Sequence, residues 1–554
     1  MTLIWALILL GVLILVHELG HFTAAKLTGV KVIRFSIGMG PKLFSFHIGE
    51  TEYQVAILPL GGYVKLLAQE ASEEIPEEDA DRAFVNKPLW VRFLVVFAGP
   101  AASLLFPLFI YFPMYMGISE MTGTQLGTVF EGSPAYEAGL RSGDVITSVD
   151  GEETRYWEDM ADDVKVAYDR EIPIAVDRNG KAMQFDVTPE RYVSKDKLGA
   201  EVVVGQIGIA ADAVPPVVGP QGRLSPAFKS GIRLGDRVAE AGGSQIKYYW
   251  QLNSFLKRAS NSSSAFELKI VRPAKIDAEG QEQAKEESFT ALIQPELQED
   301  GSYWHGLLSA DTIIGKIDEG SPAELAGLLV GDRMLKVAGK PITSWTVIEK
   351  ELRQSLDNPI EFVIERDREQ VTLTIAQKKE EVQGEFHQPV THYRFGAWSE
   401  VPYTDWIRAD SVKVENRPWF AMARSAKTLY EITYEELRVI GYLFSGELSF
   451  KMVGGPILIF DIAGKAAERG AATFLWMMAL ISINLGIINL FPIPVLDGGH
   501  LMFFAIEAVM RKPVNSKIKE KATVVGLILL LLMMVMVFKN DVERYWDSIV
   551  AWFV

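Results

Sequence analysis

The sequence predicts a polytopic α-helical membrane protein, with about four transmembrane helices and a large aqueous α+β part. Three observations carry this. Hydrophobic residues make up 49% of the 554 residues and charged residues 23%, yet mean hydropathy is positive at +0.13. Apolar and charged residues must therefore be segregated along the chain. The apolar excess collects in four stretches, each bounded by charge. Between the second and third, residues 119–418 carry a pattern that returns three times.

The first stretch is Met1–Val16, with no charge before Glu18. It reaches the roughly 17–20 residues a spanning helix needs only by continuing through His17, Glu18 and His21 toward Lys26. No Lys or Arg precedes Lys26, which argues against a cleaved signal peptide. The other stretches are Phe93–Ile118, Gly470–Leu496 and Ala522–Phe538. Lys26, Lys31, Arg34, Lys42, Lys65, Arg82, Lys87 and Arg92 lie between the first two, and Arg511, Lys512, Lys517, Lys519 and Lys521 between the last two. Both connections are expected on the cytoplasmic side, with the middle of the chain on the other. The 55 Lys+Arg against 71 Asp+Glu give a net charge of −16. That balance excludes nucleic acid as the main partner. The absence of Cys excludes disulfides and thiolate metal sites.

The repeated pattern is Ser133-Pro134-Ala135, Gly139, Gly143-Asp144, and it returns at Ser225 and Ser321, 92 and 96 residues apart. Each copy predicts a short Ser-capped helix with Pro in its first turn, a left-handed Gly stop and a Gly-Asp turn. The spacing suits a small domain, and the motif resembles the PDZ domains of bacterial envelope proteases. The resemblance implies a glycine loop that binds a peptide end or strand. Gly127, Gly208 and Gly315 are the candidates, and ligand-free structural modules are the alternative. The expected divisions are a membrane part at 1–118, PDZ-like modules at 119–195, 196–298 and 299–380, a linker with an amphipathic surface helix at 381–469, and a membrane part at 470–554. The acidic run Glu70–Asp81 is expected to be a solvated loop.

The chemistry sits in the apolar stretches. His17-Glu18-Leu19-Gly20-His21 places two imidazoles one helical turn apart on one face, with a carboxylate between them. A carboxylate inside a membrane helix costs about 2.5–3.5 kcal/mol at the helix centre and is functional by default. Two His leave a catalytic zinc one protein ligand short. Asp497, at the end of the third stretch in Asn489–His500, is the expected third ligand; His500 is a competitor. Pro492, Pro494, Gly498 and Gly499 would break the helix and aim the carboxylate.

These motifs, with Gly61-Gly62-Tyr63-Val64 and Gly99-Pro100, resemble the site-2 protease family of intramembrane zinc metalloproteases, over nearly the whole chain. The resemblance implies a bacterial inner-membrane enzyme that cuts single-pass membrane proteins after an upstream site-1-type protease has shortened them. Anti-sigma factors and remnant signal peptides are the implied substrates. It assigns zinc to His17, His21 and Asp497, the base to Glu18, and substrate contacts to Asn484 and Asn489. Helix–helix hydrogen bonding is the alternative for the two Asn. A membrane-re-entrant β-loop is implied where Lys31–Ile37 and Glu52–Leu58 predict short strands. Its Gly61, Gly62 and Tyr63 would meet substrate by strand addition, and a structural hairpin is the alternative. The PDZ-like modules would gate access by size. Relatives often carry Asn shortly after Gly99-Pro100; this chain has Ser103, which weakens the case for a polar contact from the second span and leaves its consequence open. A non-catalytic membrane scaffold that binds peptide termini is the other functional class. A transporter would need paired halves that the chain lacks.

Overall fold

A computed structural model describes residues 2–68, 75–195, 201–276, 282–298, 301–342, 344–366, 369–383, 389–446 and 449–546. The chain forms two units, Met1–Ser119 with Gln383–Gln388 and Val414–Val554, and Glu120–Val382 with Pro389–Lys413.

Among the described residues, the first unit holds four helices long and apolar enough to cross a membrane: Leu3–Leu27, Leu89–Gly117, Ala471–Leu490 and Ser516–Arg544. The first runs unbroken through the HELGH residues, as its length required. Leu9, Leu13, Ile110, Tyr111, Phe474 and Met478 form the core between the first three. The fourth is only 6% buried over its apolar window. Its far end is anchored by Asp541, which is fully buried and accepts the backbone N–H groups of Gly455, Ile457 and Leu458 at 2.8, 2.8 and 3.2 Å. Those amides open a helix at Pro456–Glu468, so Asp541 caps from another helix the donors that every helix start leaves over. The expected surface helix is Arg417–Ser445; the Pro456–Glu468 helix beyond it was not expected.

The two short strands expected at 31–58 are one long hairpin, Val32–Ile48 with Thr51–Leu66. The ribbon folds on itself, because residues 34–37 pair both with 52–55 and with 62–65, while 42–48 pair with 51–56. The outermost segment on one side is therefore Gly62–Lys65. The root of the ribbon packs through Phe35, Val64 and Leu66 on Ala25, Val91 and Val95 of the first two spans. The described part of the acidic run is not a free loop. Glu77–Arg82 forms a 3-10 helix, and Asp79 is 7% exposed and ion-paired to Lys31 and Arg82. Glu70–Glu74 of that run lie outside the described residues.

The second unit contains three α/β modules, each with its own core. In each, the Ser of the motif caps its helix by accepting the N–H three residues on, from Tyr136, Phe228 and Glu324. The Asp of the motif does more than turn the chain. Asp144, Asp236 and Asp332 are 1–2% exposed. Each takes the fork of an Arg from a later strand, Arg178, Arg272 and Arg366, with Nε–Oδ1 distances of 2.6, 2.8 and 2.7 Å. The same guanidinium donates to the carbonyl of Gly139, Gly231 or Gly327 at 2.8 Å. This bidentate clamp closes each module. The module cores extend to Ile207, Leu307 and Ala397, beyond the divisions expected at 195, 298 and 380. Each module ends in a strand that returns to pair with its beginning: Ile209–Ala210 on Thr128–Val129, Leu307–Ser309 on Val218–Pro220, and Ala397–Ser399 on Ile314–Ile317.

Between the second and third modules, Asp311 is 2% exposed; one oxygen accepts Trp345 N–H at 3.0 Å and the other has no hydrogen-bond partner among the described residues. Burial pushes this carboxyl up to about 6 from its ordinary 3.8. The folded chain therefore takes up a proton as pH falls through 6, while the unfolded chain waits until about 4. Charge on Asp311 destabilises the fold at pH 7, and the penalty disappears toward pH 4. Asp311→Asn is expected to stabilise the full chain at pH 7, with the advantage shrinking by roughly 2–3 kcal/mol by pH 4. Unfolding curves of variant and wild type that stay parallel across this range would contradict it.

Candidate metal centre

His17 and His21 share one face of the first span, with ring centroids 4.9 Å apart and rings nearly perpendicular at 83°. Their Nε2 atoms are 3.2 Å apart. Oδ2 of Asp497 lies 3.1 Å from Nε2 of His17 and 3.4 Å from Nε2 of His21. These three form a group able to hold a metal ion, and His500 is not part of it.

The outer ring nitrogens explain why the inner ones converge. Nδ1 of His21 is 2.8 Å from the carbonyl oxygen of Val95, which can only accept. The proton of a neutral His21 therefore sits on Nδ1, and the lone pair of Nε2 points at the Asp497 carboxylate. A lone pair facing a carboxylate calls for a cation between them. Two neutral imidazoles and one carboxylate, without sulfur, suit zinc. Nδ1 of His17 is 3.1 Å from Oγ of Ser103. The second span thus supplies a polar contact to each histidine, Ser103 to one and the Val95 carbonyl to the other. The short hydroxyl reaches because the two helices lie unusually close. A side chain on Gly20 would collide with the carbonyl of Ala98, and one on Gly99 with the ring of His21. Small residues at facing positions permit such an approach.

Asp497 does not close the third span. That helix ends at Leu490, a turn through Pro492 and Pro494 follows, and Asp497 opens a separate helix, Asp497–Met510. A carboxylate in a first helical turn is favoured by the helix dipole. Gly498 and Gly499 press on the carbonyls of Leu490, Phe491 and Ile493, where no side chain fits. Glu507 on this helix pairs with Arg92 of the second span at 2.6 Å, both side chains mostly buried. The second span therefore braces all three members of the group.

Glu18 lies on the ribbon side. A side chain on Gly62 would come within 2.9 Å of its Cγ. The outer ribbon segment Gly62–Lys65 thus runs past the carboxylate. Gly61 adopts φ +84° beside Met39. The Tyr63 hydroxyl is taken by Arg34 and Gln54, at 3.2 and 3.1 Å, and ties the ribbon together. Asn484 and Asn489 are half-buried on the third span, Asn489 in its last turn.

The three expected PDZ-like glycines are not equivalent. Gly208 has φ +73° and belongs to the end of the first module, not to the second. Its counterparts are Gly306 and Gly396, with φ +72° and +81°, each packed on the motif Ser as Gly208 is on Ser133. Gly127 and Gly315 lie at the start of the strand opposite and face the backbone of Asp212 and Glu400. In the second module the N–H after the glycine, that of Leu307, is taken by Nδ1 of its own His305 at 3.0 Å.

Known proteins match nearly the whole length of the chain. The profile of peptidase family M50 covers residues 5–533. Protease RseP of Yersinia pestis is 30% identical over 550 residues, 98% of this chain and 100% of the relative. Regulator of sigma-E protease RseP of Escherichia coli K12 is 29% identical over 543 residues, 97% of each. A Neisseria meningitidis protein, provisionally named as a zinc metalloprotease, is 30% identical over 538 residues, 96% of this chain and 97% of the relative. The chain belongs to peptidase family M50, the site-2 proteases, and is a zinc metalloprotease carrying helices built to cross a membrane.

Proposed function

We propose that this enzyme hydrolyses a peptide bond inside the transmembrane segment of single-pass membrane proteins, with zinc held by His17, His21 and Asp497. The observation that carries the reading is the convergence of Nε2, Nε2 and Oδ2 among apolar helices, with Glu18 between the two histidines. Zinc bound there supplies Lewis acidity toward the scissile carbonyl and lowers the pKa of water to about 7. Glu18 takes the proton of the attacking water and returns it to the leaving nitrogen.

A helical substrate shields its carbonyls, so it must be extended before it is cut. The outer edge of Gly62–Lys65, beside Glu18, suits strand addition by the unwound segment. The small Gly61 and Gly62 let a second backbone come close. We assign this ribbon to the membrane, entering from the cytoplasmic side, in line with the basic residues that flank it. Asn489 and Asn484, both half-buried on the third span, are assigned to substrate or oxyanion contacts, a role that amide donors near a metal fit.

The second unit is assigned to the extracytoplasmic side of a bacterial inner membrane. There its modules would screen substrates already shortened by an upstream protease. The relatives' names as regulators of sigma E support an anti-sigma factor as substrate. A peptide end would dock on the strands that follow Gly208 and Gly396. The self-bonded Leu307 makes the second module the poorer edge.

Glu18→Gln keeps the ligands and removes the base. It is expected to bind zinc as wild type does and to lose cleavage by at least about 100-fold; undiminished cleavage in a reconstituted assay contradicts the role. Asp497→Asn is expected to lower zinc occupancy in metal analysis of the purified protein. Full occupancy would remove Asp497 from the ligand set.

A further inference from the structure

We infer that Ser103 is the positioning residue for His17: its hydroxyl accepts Nδ1–H and so turns the Nε2 lone pair toward Asp497. The inference rests on the zinc-centre reading. His21 has a carbonyl that fixes its tautomer. Nδ1 of His17 has, among the described residues, only Ser103 Oγ, at 3.1 Å. A hydroxyl can accept or donate, so by itself it does not choose a tautomer. The other side of the ring chooses. Nε2 faces the carboxylate at 3.1 Å and the second imidazole at 3.2 Å, and ligation requires its lone pair there. The proton must then sit on Nδ1, with Oγ as its acceptor.

Ser103 itself is held from two directions, which separates a positioning device from an incidental neighbour. It is fully buried in the second span. Four residues on stands Pro107, which has no N–H, so the carbonyl of Ser103 lacks its helical donor. Ser482 of the third span, 1% exposed, fills that gap by donating Oγ–H to the Ser103 carbonyl at 2.7 Å. The proline thus creates a polar point inside the bundle. The third span docks on it, and the same residue's side chain aims the metal-facing imidazole. A shared backbone anchor fixes Oγ relative to both helices.

The test uses purified full-length protein, with zinc affinity measured by competition with a chromophoric chelator. Ser103→Ala is expected to bind zinc about 10- to 100-fold more weakly than wild type. Ser103→Thr, which keeps the hydroxyl, is expected to restore the affinity. Unfolding temperatures of the metal-free forms should agree, and the visible spectrum of the cobalt-loaded protein should shift in Ser103→Ala but not in Ser103→Thr. Affinity unchanged in Ser103→Ala, or a Thr variant as weak as the Ala variant, overturns the inference alone. A wild type that binds no zinc overturns the metal-centre reading and this inference with it.

Discussion

Two imidazoles and one carboxylate meeting within 3.4 Å, between largely apolar helices, is the contact on which the rest of the membrane unit depends. Placing such groups away from water costs several kcal/mol unless each is paired. Every neighbour of the group meets that demand. Val95 and Ser103 take the outer nitrogens, the start of a helix favours the carboxylate, and Arg92–Glu507 holds that helix in place. Glycines at 20 and 99 remove the side chains that would keep the first two spans apart. The ribbon then packs on the same two helices and brings its outer strand to Glu18.

The second unit solves a different problem, three small cores on one chain. Each core is closed by the same two devices, a Ser cap and an Asp buried under an Arg fork. Breaking one partner of such a pair leaves a buried charge and is more damaging than replacing both. This explains why the motif spacing is kept while the rest of each module varies. His305 stands where the first and third modules have Ile207 and Phe395. Burial holds its imidazole down at about 4, so it stays neutral and accepts the Leu307 N–H through the physiological range.

Much of the site could be read from residues alone, because HELGH is local in sequence and a helix fixes what i and i+4 share. Asp497 stands out in the sequence as a carboxylate ending an apolar run, and the structure brings it beside the two histidines. The third span's length was not legible past Leu490, since the turn and the next helix are apolar too. The Arg178, Arg272 and Arg366 clamps were readable in principle as a basic residue 34–36 positions after each motif Asp. Ser103 carried no such signal, because its partner is 86 residues away and only the close helix approach makes a hydroxyl long enough. The module ends were misplaced for a topological reason. The closing strand lies beyond an extra hairpin, Glu190–Lys195 with Glu201–Gln206 in the first module, so a motif-to-motif division cuts it off.

The central claim is that one zinc ion is held by these three side chains, and anomalous diffraction at the zinc edge from crystals of the full-length protein addresses it most directly. The account predicts a single strong peak enclosed by Nε2 of His17, Nε2 of His21 and a carboxylate oxygen of Asp497, with both Nδ1 atoms still on Val95 and Ser103. A peak bound by His500, or one that leaves Asp497 outside its coordination shell, would contradict it.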